Sequence, residues 1–145
     1  MIYAVLDIAN KILAEASYSN LGELISNMKL QKLLYYQQGF HLAYFGTPLF
    51  DEEIEAWMYG PVVPCVYEHF KAKDNFGIEF SGNVISLSTE EESLFNEVFR
   101  VYGKYSATGL IEMTHNETPW KSTIAKVGSV ISKEKMKIFF KKRLK

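Results

Sequence analysis

The chain has 145 residues, 48% of them hydrophobic and 23% charged, with a formal net charge of −1. That length suits one domain able to bury a core without covalent staples, and the composition excludes an intrinsically disordered chain. Cys65 is the sole cysteine, which excludes an internal disulfide and suits a reducing cytoplasm, and no apolar run approaches the roughly 20 residues that a membrane span requires.

The N-terminal stretch IYAVLDIANKIL is apolar but broken by Asp7 and Lys11, with no small-residue cleavage site after it, so no secretion signal is expected. Val5, Ile8, Ala9, Ile12 and Ala16 recur at helical spacing and predict an amphipathic helix over 2–16. Ser17 to Gly22 supplies turn residues. Asn27 is placed to cap a second helix, MKLQKLLYYQQGFHLAYFG, that runs to Gly46. Leu30, Leu33, Leu34, Gln37, His41 and Tyr44 form one stripe of it. Tyr35, Phe40 and Leu42 make its other faces apolar too, the pattern of a central helix covered on several sides. Gly46 and Pro48 end it.

Asp51, Glu52, Glu53 and Glu55 then form an acidic patch, while Ile54, Ala56 and Met58 alternate as a short strand. Tyr59-Gly60-Pro61 reads as a turn, and Pro64 fits the first turn of a helix in VPCVYEHFKAK. GIEFSGNVISLS alternates on both sides of Ser81-Gly82-Asn83 and reads as a small hairpin. Thr89 to Glu92 form a capping box that opens a helix through Leu94, Val98 and Val101. A further helix covers Ala107 to Met113, and the last begins at Ser132. No repeat or linker divides the chain. The expectation is a mainly α, compact, single-domain helical bundle over 1–145 with a small β-hairpin or short strands.

Charge is uneven. Met1 to Ser132 holds nine basic and sixteen acidic residues, whereas the last thirteen, KEKMKIFFKKRLK, carry seven basic residues and one Glu. An acidic body with a basic tail signals either a charged partner or the solvated face of a last helix.

The stretch MTHNETPWK gathers a histidine, a proline and a tryptophan. Thr118 before Pro119 has the pattern of an N-cap followed by proline at the first helical position, with Asn116 able to serve one step earlier. Trp120 would pin the first turn to the core, and His115 could tie the preceding turn to backbone. For catalysis the chain offers His41, His69 and His115 but no GxSxG, HExxH or phosphate-cradling glycine loop. Cys65 and His69 are four apart on one helix face, two metal ligands where zinc wants three or four, or else a small buried hydrophobe beside a packed histidine. His41, on the apolar stripe, reads as a buried histidine satisfied by Tyr44 or a backbone carbonyl. Lys29 and Lys32 with Tyr36 make a basic-aromatic strip that could grip a phosphate and stack a base, or simply edge a central helix. No enzyme activity, metal or cofactor is expected, and nucleic-acid binding through the strip or the basic C-terminal helix is the alternative function.

Four segments taken in order, the LQKLLYY helix, the PLFDEEIEAW link, the YGPVVP turn and the TH-x-E-x-PW stretch, span Met28 to Trp120. In them the chain resembles the Panacea domain of SocA-like antitoxins and GepA-like phage-associated proteins. The resemblance implies a mostly helical, cytoplasmic, bacterial or phage-borne domain without catalytic activity. It would bind and neutralise a cognate small toxin in a toxin-antitoxin system. One SocA-like member hands its toxin to a protease, so an adaptor role is a further implication. No fused DNA-binding domain is expected. Gly60, Pro61, Val62, Pro64, His115, Pro119 and Trp120 recur in the family pattern, and each also has a structural reading as turn or helix start. Trp57, Tyr59 and Trp120 would act as partner-binding anchors if the YGPVVP and THNETPW turns meet. Asp51, Glu52 and Glu53 would steer a basic partner.

Overall fold

The computed structural model describes residues 2–19, 24–73 and 77–144. Among these the fold is mainly α, seven helices around a three-stranded sheet. Helix α1 spans Val5–Ser19 and buries Val5, Ile8, Ala9, Ile12, Leu13 and Ala16. It starts later than expected because Tyr3 N–H donates to the Leu49 carbonyl, which holds the preceding residues extended. It also runs through Ser17 to Ser19, where a turn was expected; the rest of that turn, 20–22, lies outside the described residues.

Helix α2, Asn27–Phe45, is the axis of the molecule and is buried on all sides. Its cap is Ser26, whose hydroxyl accepts from Lys29 N–H, and not Asn27. The Asn27 side chain instead donates to the Tyr67 carbonyl and accepts from Gln31. At the other end Gly46 adopts a left-handed φ of 78° and its N–H returns to the Leu42 carbonyl. Tyr44 falls off the buried stripe and is 59% exposed, since residues after Ala43 extend past the neighbours that cover the helix.

Strands β1 (Ile54–Trp57) and β2 (Gly60–Val62) form a hairpin whose closing pair is Trp57 and Gly60. The turn is therefore Met58-Tyr59, while Gly60-Pro61, expected as turn, begins β2. Gly60 has φ 108°, and a Cβ there would lie 2.7 Å from Lys32 Cε, so both backbone and space require glycine. Pro61 is tolerated because β2 is an edge strand. A third strand, β3 (Val130–Ile131), pairs with the other edge of β1; its two residues are too few for any alternation to announce it.

Helix α3 is Pro64–Phe70, opened by its proline as expected, and a 3-10 turn Lys71–Lys73 follows. The hairpin expected at 77–88 does not form among the described residues. Ile78 bridges to Ile25, Ser81 exchanges hydrogen bonds with the Asn10 side chain, and Lys11 Nζ caps the Ile85 carbonyl. The backbone groups that a hairpin would pair are taken up by other segments. Helix α4 (Thr89–Tyr102) opens with a capping box, one residue earlier than expected: Ser88 is the cap and Glu91 its partner. Its buried face is Phe95, Val98, Phe99 and Tyr102. Helices α5 (Ala107–His115) and α6 (Thr118–Lys121) flank the Asn116-Glu117 turn, and α7 (Lys133–Lys141) closes the fold from its Ser132 cap, burying Met136 and Phe140.

Candidate functional site

The β1–β2 tip and the α5–α6 turn meet. Trp120 Nε1–H donates to the Trp57 carbonyl at 2.8 Å, and His115 Nε2 lies 2.9 Å from the Met58 carbonyl. The His115 and Trp120 rings stack with centroids 4.1 Å apart. Trp57 in turn donates its indole N–H to Glu55 and packs edge-on against Tyr67. Pro119 is buried, and Thr118 is the first helical residue and not the cap. The cap position is Glu117, whose side chain makes no cap hydrogen bond because it turns inward.

Glu117 is the residue that sequence reasoning passed over. It is 2% exposed and accepts from Tyr35, Tyr36 and Arg143. Burial pushes its carboxyl above the usual range, and Arg143 and the two tyrosines oppose that only in part. The only signal available was a carboxylate just ahead of TPW in a turn otherwise read as capping. A second buried network joins His41 to Thr47 carbonyl at 2.6 Å and to Glu91 at 2.7 Å. The carbonyl partner was expected; Tyr44 is not the other one, because its ring points outward. Burial would raise the Glu91 carboxyl, but hydrogen bonds from Tyr3, His41 and Ser88 outweigh it and hold the group at about 2.

Between the hairpin tip and Ala125–Val127 lies a groove of about 380 Å³. Trp57, Met58 and Tyr59 form one wall, Ala125 to Val127 the other, with Lys32 and Tyr67 also in the lining. Met58 and Tyr59 are 69% and 57% exposed, and Ile124 and Val127 are 75% and 73%. Single exposed apolar residues are ordinary; three large ones, Met58, Tyr59 and Val127, in the lining of one groove are the pattern of an interaction surface.

A profile of the family described as "Antitoxin SocA-like, Panacea domain" matches residues 30–121. The chain belongs to this family. Antitoxin SocA of Caulobacter vibrioides (strain NA1000 / CB15N) is 35% identical over 126 residues, 78% of this chain and 66% of that protein. The match thus spans just under two thirds of that relative's length. No solved structure matches the chain. The family range runs from α2 through α6, so it contains the tip and the α5–α6 turn, while the Ala125–Val127 wall lies beyond it.

The acidic link of this Panacea domain stands apart from the groove lining. Glu53 pairs with Lys133 at 2.7 Å, and the Asp51 carbonyl accepts from the same ammonium. Glu52 is half-buried, and its Oε1 has no hydrogen-bond partner among the described residues. Glu55 accepts from Trp57 and from Gly128 N–H. The basic-aromatic strip is not a surface: Lys32 and Tyr36 are fully buried, and Lys29 Nζ caps the Gly103 carbonyl. Being on a helix covered all round, these residues cannot stack a base. Cys65 is exposed and not a buried hydrophobe, since α3 turns Val66 and Phe70 to the core instead, and His69 packs edge-on against Phe70. No group of three or more metal-ligating side chains occurs among the described residues. Nor is any helix among them long and apolar enough to cross a membrane.

Proposed function

We propose that this chain is an antitoxin that neutralises a small toxin protein by direct contact, without catalysis of its own, and that the toxin engages the groove beside the hairpin tip. Membership of an antitoxin family supports the role. The observation that carries the location is the exposure of Met58, Tyr59 and Val127 around one groove. The hairpin wall is also pre-organised: the indole N–H of Trp120 holds the carbonyl of Trp57, and Glu55 holds the Trp57 ring, so little freedom is lost there when a partner docks. Gly60, Pro61, Pro64, His115 and Pro119 serve this reading by holding the tip in place, with Trp57, Tyr59 and Trp120 as its aromatic frame.

The test is growth rescue. A candidate toxin, sought as a small open reading frame beside this gene, is expressed alone and then with this protein. Rescue by the wild type, lost in Met58→Asp and Val127→Asp proteins that keep their melting temperature, is the expected outcome. Full rescue by both variants would move the contact to another face.

A further inference from the structure

Resting on that antitoxin reading, we propose that the groove receives a short segment of the toxin presenting an apolar side chain flanked by carboxylates. The walls are apolar and no acidic residue is in the lining; with Lys32 fully buried, the exposed charge there is Lys126. Glu55, two residues before Trp57 on β1, is committed through Oε1 to the Trp57 indole and the Gly128 N–H. Lys126 is exposed in the groove lining, and its ammonium makes no hydrogen bond or ion pair among the described residues. A basic segment would set like charge against it, and a neutral one would cover it without answering it. A carboxylate beside the anchor pairs with it. The volume, about 380 Å³, is at the small end of the roughly 300–1,000 Å³ typical of binding pockets. That suits one or two anchoring side chains and not a whole buried helix. In the acidic link, which lies outside the groove lining, Glu53 is engaged by Lys133.

The experiment pans the full-length protein with a random short-peptide library and measures recovered peptides by fluorescence anisotropy at two salt concentrations. Enriched sequences should join an aromatic or long aliphatic residue to neighbouring Asp or Glu. Their affinity should fall with salt, and by about tenfold or more on Lys126→Glu. Met58→Asp should abolish binding, while Ile138→Asp, on exposed α7 surface, should leave it unchanged. Enrichment of basic or neutral peptides, no enrichment, or undiminished binding to the Lys126→Glu protein would overturn the proposal. The same variants are run in the growth rescue. Rescue that survives both Lys126→Glu and Met58→Asp overturns the groove as the toxin's seat and leaves the antitoxin reading standing. Failure of the wild type to rescue overturns the antitoxin reading, and with it the toxin as the groove's occupant.

Discussion

Two carboxylates illustrate how residues of one type are shifted in opposite directions by their surroundings. Glu91 sits at a helix N-terminus, where its oxygens accept from Tyr3, Ser88 and His41, so its charged form is favoured and its carboxyl falls to about 2 from 4.5. A folded-state value below the unfolded one adds stability that is complete above pH 4.5 and is lost as pH falls toward 2. Thermal melts across that window should show the loss, and Glu91→Gln should flatten it. Glu117 runs the other way. Burial raises it despite Arg143, so its effect on stability is favourable below the usual carboxylate range and declines as pH rises through its raised value. Ionised or not, it satisfies two tyrosine hydroxyls that make no other hydrogen bond among the described residues. Glu117→Ala should therefore cost about 3 kcal/mol in a denaturant titration, because it leaves buried polar groups unmet. Tyr36→Phe, which removes one bond and keeps the ring stack on Tyr102, should cost about 1 kcal/mol.

At the scale of elements, α2 organises its neighbours through amides as much as through apolar contact. Gln31 accepts from Val63 N–H, Gln37 donates to the Phe95 carbonyl, and Gln38 brackets Leu49 and Phe50. Each glutamine is buried and each fixes a different segment on the helix. Gly39 is where α7 approaches closest: a Cβ there would lie 2.2 Å from two ring carbons of Phe140. Gly39→Ala should destabilise the protein by about 2 kcal/mol through overpacking. Phe140→Leu, harmful alone, should make the alanine less costly when combined with it, a coupling that a double-mutant cycle would read. If the two penalties simply add, α7 does not meet α2 at Gly39.

Across the whole molecule, the acidic body and basic tail turn out to answer one another. Lys133 pairs with Glu53, Lys135 donates to the Ser122 carbonyl, and Arg143 reaches Glu117. A charge asymmetry that reads as an invitation to an external partner is in part spent on docking the last helix. Hydrogen exchange should reflect the same architecture: α2 amides exchange last, being covered on every side, and those of the exposed 122–129 stretch exchange first.

Much of this was legible in the chain itself. Local rules act over three or four residues, so helix positions, the Gly46 stop, the Pro64 start and the central burial of α2 followed from periodicity and punctuation alone. The order of four motifs was enough to place the chain near its family. Cap identities slipped by one residue at α2, α4 and α6, because neighbouring Ser, Thr, Asn and Glu compete for the same role and only the surrounding contacts choose. The expected hairpin failed for a related reason: alternation shows that a segment is extended, not what it pairs with. Only the tertiary structure decided that Glu117 turns inward, that Lys32 and Tyr36 are core, and that Met58 and Val127, far apart in sequence, share the rim of one groove. Those outcomes depend on contacts between segments distant along the chain, and no local pattern encodes them.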